Sequence, residues 1–260
     1  MEENQKIYPR IIMGLDVSTA CIGISIVKDN GEGKPEILKI THVSPKIDKK
    51  KKGIEALFLR KDIFETEFIT NLTGYGITDV VIEEPLLSSN NTNTVATLLR
   101  FNGMIAESIY RHLNIVPNFI SSYDARMFSF PELVSLRKYN KKGFIYPEKH
   151  IDAAIKKNGI VLFGAYPFDV DKKVVMMNMV NEKYDGIEWI YNTKGELKKE
   201  NYDACDSLIC VLAFININRY GFDTVRIDSW EKKSGDEIEY SYTTKIWDKT
   251  FEKRLVIPKS

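Results

Sequence analysis

The stretch from Ile11 to Val27 constrains the fold most: two apolar runs, IIMGLDV and IGISIV, flank the short polar turn Ser18-Thr19-Ala20. Short apolar runs bounded by turn residues read as buried strands, and so brief a turn between them predicts an antiparallel hairpin. Asp16 falls near the end of the first strand. A carboxylate in such a strand is costly to desolvate unless it is paired, solvated at a sheet edge or bound to a cation. Local capping of Ser18 and Thr19 by Asp16 is the structural alternative.

A third run, Ile37 to Val43, follows the Gly- and Pro-containing turn DNGEGKP and completes a three-stranded antiparallel meander. Ile54, Leu57, Phe58, Phe64, Phe68, Ile69 and Leu72 then recur at helical spacing up to Gly74 and Gly76. The next strand, Thr78 to Glu84, contains DVVIEE and is apolar enough to be buried on both faces, as parallel strands are. The polar loop SSNNTNT opens a second helix, from about Val95 to His112, and a short strand from Ile115 to Ser121 follows. Further along, short helices are expected around Pro131 to Tyr139 and Pro147 to Lys157, then an apolar piece, IVLFGAY, and a helix from Lys172 to Tyr184. A hairpin is expected across Asn192 to Gly195, and a helix from Asp203 to Asn218 with Leu208, Val211, Leu212 and Ile215 on its apolar side.

This order describes an α/β fold: a mixed sheet of three antiparallel strands and then parallel strands, flanked by helices. The chain has 260 residues, enough for one sizeable domain with additions. Residues 1–219 are expected to form that domain, with an enlarged segment near 123–170. Residues 220–260, rich in alternating aromatic and charged side chains, read as a β-rich C-terminal extension packed on the core.

Composition excludes several classes. No apolar run approaches the roughly 20 residues of a membrane span, and MEENQKIYPR lacks the pattern of a secretion signal, so a cytoplasmic protein without membrane contact is expected. Cys21, Cys205 and Cys210 form no CxxC pair and read as buried thiols. Neither His42, His112 nor His150 occurs in a metal-ligand pair, which argues against a zinc hydrolase. With 37 basic and 36 acidic residues the net charge is +1, so a polyanion partner is not advertised by overall charge. Distribution says more. Basic residues cluster at 49–52, at Arg137, Lys138, Lys141 and Lys142, at Lys156 and Lys157, and at Lys172 and Lys173.

Acidic residues concentrate where sites form. Glu83 and Glu84 end an apolar strand at its carboxyl end, where open α/β sheets place ligands. Successive strand residues face opposite ways, so only one of the two can share a site with Asp16, and spacing leaves both open. Asp203 and Asp206, three apart in a helix, share a face, although acids in a first turn also suit the helix dipole without any function. Gathered carboxylates supply the hard oxygen ligands that Mg2+ takes. Two such ions roughly 4 Å apart serve phosphodiester hydrolysis.

With these segments in order, the sequence resembles the RuvC-like Holliday junction resolvases of the ribonuclease H-like superfamily. IMGLDVSTACIGISIV looks like that family's first hairpin with its catalytic aspartate, and VVIEEPLLSSNN like its second acidic strand. KKVVMMNMV is similar to the helix bearing a basic residue near the scissile phosphate, and YDACDSLIC to the closing D-x-x-D helix. The resemblance implies Asp16, Glu83 (over Glu84), Asp203 and Asp206 as catalytic metal ligands, and Lys173, with Lys172 its rival, as the basic residue. It also implies Mg2+ with Mn2+ as substitute, two ions, a homodimer and branched DNA as partner, each subunit nicking one of two opposed strands of a four-way junction. Pro85, Leu86 and Leu87 stand where the family often has an aromatic that helps open the junction. A different ribonuclease H-like nuclease and an inactive DNA-binding relative are alternatives. An actin-like ATPase is a third, less favoured because the turn after Asp16 lacks a phosphate-cradling glycine.

Overall fold

The computed structural model describes residues 8–72, 74–85, 91–162 and 170–259. Leu86, Leu87 and most of IVLFGAY lie outside them. The chain divides into two compact units, residues 1–125 with 176–215, and residues 126–175 with 216–260.

The first unit is built on a five-stranded sheet. β1 (Arg10–Val17), β2 (Ile22–Asp29) and β3 (Glu36–Val43) pair antiparallel, whereas β4 (Asp79–Glu83) and β5 (Asn118–Ile120) run parallel to β1. Their order is β3-β2-β1-β4-β5. The expected meander followed by parallel strands is therefore present, and a crossover helix sits where each parallel return needs one. These crossovers are α1 (Gly53–Glu67), followed by a single 3-10 turn, and α2 (Thr92–Leu113). Asn91 caps α2, its side chain accepting from the backbone N–H groups of Asn93 and Thr94.

Strand alternation sorts the two faces. Met13, Leu15 and Val17 of β1, Ile22, Ile24 and Ile26 of β2, and Val80 and Ile82 of β4 form one cluster with Leu57, Phe64, Phe101, Ile105 and Ile109 of the two helices. The intervening residues, among them Ile12, Gly14 and Asp16, point to the other face. There lies α6 (Glu200–Tyr220), which begins three residues before the expected start and has Ala204 through Ala213 all buried. The three cysteines are buried and none is in a disulfide.

The second unit holds an antiparallel sheet in the order β10-β9-β8, from β8 (Arg226–Ser234), β9 (Glu237–Ile246) and β10 (Lys249–Pro258). Ile238, Tyr240, Tyr242, Thr244 and Ile246 alternate inward along β9. Where a helix was expected at Pro131 to Tyr139, there is a 3-10 turn at Pro131–Leu133 and then β6 (Val134–Leu136), paired with β7 (Ile160–Leu162). Val134 and Leu136 are buried with Ser135 between them, a two-residue period that suits a strand. The expected hairpin at 192–195 reduces to one bridge between Tyr191 and Leu197. α3 (Ser122–Ser129), α4 (Glu148–Lys156) and α5 (Lys172–Lys183) complete the helices.

Leu136, Ile151 and Ile155 share an apolar cluster with Ile238, Tyr240, Tyr242, Leu255 and Ile257. The enlarged segment and the C-terminal strands thus pack with each other. Among the described residues, no helix is long and apolar enough to cross a membrane.

Candidate metal centre

β1 and β4 pair in parallel with Leu15 opposite Ile82, which brings the next residues, Asp16 and Glu83, side by side at the carboxyl ends of both strands. Neighbouring strands lie only about 4.8 Å apart, so side chains of one face at matched positions approach each other. Glu84 is exposed, one residue past the strand. Strand parity thus separates two glutamates that sequence spacing left equivalent. The turn beyond Asp16 is closed by Ser18, whose hydroxyl accepts from the Cys21 backbone N–H at 3.0 Å and donates to the Cys21 carbonyl at 2.8 Å. Asn102 of α2 reaches the same strand end, its Nδ2 donating to the Val17 carbonyl at 3.4 Å.

The third carboxylate comes from α6. Asp206 is 5% exposed, and a carboxylate oxygen from each of Asp16, Glu83 and Asp206 lies within 4.8 Å of those of the other two. No other group of three or more histidine, cysteine, aspartate or glutamate side chains converges in this way among the described residues.

Two glycines let the helix come so near. A Cβ on Gly14 would run into the Ser207 carbonyl and the Val211 side chain, and would lie 2.7 Å from Ser25 Oγ. A Cβ on Gly23, the β2 partner of Asp16, would overlap the Asp203 carbonyl and lie 2.6 Å from the Ala204 nitrogen. The α6 backbone therefore rests directly on β1 and β2. These glycines were missed in the sequence reading, although a glycine inside an apolar strand is itself a sign of close backbone approach.

Asp203 lies one helical turn before Asp206 and is not a member of the three-carboxylate group. Its carboxylate accepts a hydrogen bond from the Cys21 thiol, which also interacts with Ser44. Burial first, and then the charge and hydrogen bond of Asp203, push the thiol up to about 12. Cys21 is thus a neutral donor to this helix end.

Lys172 and Lys173, the first residues of α5, fall in the second unit. The Asp171 side chain accepts from the backbone N–H of Lys173 at 3.0 Å, and the Lys173 side chain is exposed. Burial, with Arg126 and Arg137 nearby, lowers the pKa of Lys172.

Three carboxylates with oxygens within 4.8 Å of one another repel, and burying one of them adds desolvation. A divalent cation removes both costs. The donor set is all hard oxygen with no imidazole or thiolate, which fits Mg2+ or Mn2+ better than Zn2+.

No protein-family model matches the chain, and no curated protein matches it. Among solved structures, Thermus thermophilus RuvC in complex with a Holliday junction substrate aligns over 82% of this chain and 96% of its own, at 13% identity and a TM-score of 0.48. The yeast mitochondrial Holliday junction resolvase Ydc2 aligns over 84% and 85%, at 10% identity and 0.43. The Aquifex aeolicus Ppx/GppA phosphatase aligns over 96% and 52%, at 7% identity and 0.33.

Proposed function

We propose that this chain is a divalent-metal-dependent endonuclease that cuts four-way or other branched DNA by phosphodiester hydrolysis. The observation that carries the reading is the meeting of Asp16, Glu83 and Asp206, from positions far apart in sequence, at the carboxyl ends of β1 and β4. Sheets of this kind present ligand sites at those ends. The resemblance of the four sequence segments to junction resolvases supports the substrate class.

In this reading the three carboxylates hold Mg2+, or Mn2+ in its place. A bound divalent ion, joined by a second, would supply an activated water and stabilise the leaving oxygen. Asp206, on a helix seated against Gly14 and Gly23, would be the third ligand beside Asp16 and Glu83. Asp203, one helical turn before Asp206, would be the residue to hold a second ion. Lys173, with Lys172 its rival, stabilises charge on the phosphate. A homodimer would place two such sites on opposed strands.

The test is cleavage of a synthetic four-way junction beside linear duplex, flaps and RNA–DNA hybrid, with and without Mg2+. Metal-dependent cutting of the junction is expected, and its loss in Asp16→Asn with DNA binding retained. Cutting by Asp16→Asn at the wild-type rate would sink the site assignment. Preference for flaps or hybrid would move the enzyme to another nuclease class of the same fold.

A further inference from the structure

The hairpin leading from β6 into α4 carries chemistry that the acidic site does not use. From Arg137 to Lys157 the sequence holds seven lysines and arginines and two acids, Glu148 and Asp152. Both acids turn to Lys232 of β8, with Asp152 at 3.0 Å. Asp152 also accepts from the Tyr240 hydroxyl at 2.8 Å. The negative charge of the segment is thus committed to anchoring α4 on the sheet, and its own seven cations are left in large excess over it.

The hairpin is held by its own hydrogen bonds. Tyr139 bridges Ile145, the Asn140 N–H donates to the Phe144 carbonyl at 2.9 Å, and the Asn140 side chain accepts from the N–H groups of Lys142 and Phe144. Gly143 takes a φ of 83°, which closes the tip. This tip presents Phe144 at 66% exposure beside the exposed Lys141 and Lys142. An exposed phenyl ring at a basic tip contributes nothing to the core.

Behind the tip, Tyr146 stacks on the exposed His150 with ring centroids 3.8 Å apart and planes 3° from parallel. The two rings border a cleft of about 420 Å³, with Arg137 and Lys157 on its walls and Ala153 and Ala154 among its small residues. Among the described residues no carboxylate lines it. That volume falls within the roughly 300–1,000 Å³ of small-ligand sites. Arg137 also lies close enough to Lys172 to act on its charge.

We propose that the cleft and the hairpin tip bind a single-stranded stretch of nucleic acid, with Arg137 and Lys157 on its phosphates and unpaired bases stacked on His150 and Phe144. Flat rings alternating with cations are how single strands are held without sequence preference, because every base offers a π-face and every linkage a charge. A duplex would use the cations and leave the rings idle. A lone nucleotide would fill the cleft and leave the tip idle. The site belongs to the second unit and does not rest on the nuclease reading; if both hold, it is where an unpaired arm of a branched substrate would lie.

The experiment uses the full chain carrying Asp16→Asn, in EDTA, so that neither metal nor cleavage enters. Anisotropy of a short labelled oligothymidylate is compared with that of a duplex of equal length, with thymidine monophosphate as competitor. Phe144→Ser and Lys157→Gln change exposed side chains and leave the apolar cluster intact, whereas Tyr146 packs against that cluster and is not substituted. Phe144→Ser is expected to weaken strand binding roughly tenfold, the order of one lost base stack, with duplex binding little changed. Lys157→Gln should lower the salt slope by roughly 0.7, as one single-strand phosphate contact does. Unchanged strand affinity in the double variant overturns the proposal. So does an equal loss for strand and duplex, or competition by the monophosphate as effective as by the strand.

Discussion

Strands β1 and β4 carry charges at both ends on the same face, and the two ends are built in opposite ways. At the amino end Arg10 meets Asp79 at two points, Nε to Oδ2 at 2.9 Å and Nη2 to Oδ1 at 2.5 Å. At the carboxyl end Asp16 and Glu83 meet a third acid, Asp206. One end gathers opposite charges in bidentate geometry, the form that best offsets desolvation. The other gathers like charges, whose mutual repulsion a bound cation would relieve. Two strands of identical polarity thus have a stabilised end and a strained end, and ligand chemistry belongs at the strained one.

The largest expected effect tests that contrast directly. Asp16→Asn should abolish cleavage and remove the stabilisation that Mg2+ gives, about 2.7 kcal/mol for wild type at a hundred times the dissociation constant. In metal-free buffer the same variant should melt no lower than wild type, since it loses a repulsion. Arg10→Met should do the reverse. It leaves Asp79 part-buried with its cation gone, a loss of about 2–3 kcal/mol, below the range for a fully buried pair because both side chains keep some exposure. Its metal-induced shift in melting temperature should persist. Differential scanning fluorimetry with and without Mg2+ reads both variants, and equal metal-free destabilisation by the two would erase the distinction.

Much of the strained end was legible in sequence. Asp16 interrupts an apolar strand, DVVIEE ends in acids, and the D-x-x-D spacing puts both aspartates on one helix face. What spacing could not reveal is register. Apart from the family resemblance, which favoured Glu83, the two glutamates separate once Leu15 is known to face Ile82, and Asp203 separates from Asp206 once Cys21 is seen to bond it. The second unit was read less well because its local signals are short. Three-residue strands such as β6 look like helix fragments, and the partners that bury Leu136, namely Ile238, Tyr240 and Tyr242, lie about a hundred residues away. Local periodicity carries no information about such pairing.

A smaller effect sharpens the account of how α6 delivers Asp206. Gly23→Ala places a methyl group against the Asp203 carbonyl and must push the helix outward, at a cost of about 1–3 kcal/mol typical of overpacking. Metal affinity should fall with it. Gly103→Ala is the matched control: it lies in α2, a Cβ there meets nothing within 4 Å, and helix propensity favours it by up to about 1 kcal/mol. Calorimetric Mg2+ titration of the two variants distinguishes a positioning role for Gly23 from a general loss of stability. Weakened metal binding in both would remove Gly23 from the site's construction.

The smallest effect concerns pH and the stabilised end alone. Burial by itself would raise the Asp79 carboxyl, but hydrogen bonds from Arg10 and Thr78 and the Arg10 charge outweigh it and hold the carboxyl below its ordinary value. A depressed folded-state pKa means that the unfolded chain binds the proton more readily. The pair's contribution is therefore complete above the ordinary carboxylate range, near pH 4, and is lost as pH falls through the depressed value. In Arg10→Met the part-buried carboxyl keeps the Thr78 hydroxyl but has no cation, which favours its neutral form, so acid relieves that variant while it weakens wild type. The difference in urea midpoint between the two proteins should accordingly narrow from pH 7 to pH 3. A constant difference across that range would mean that Arg10 acts through its packing over the Phe214 ring, 5.3 Å away, rather than through its charge on Asp79.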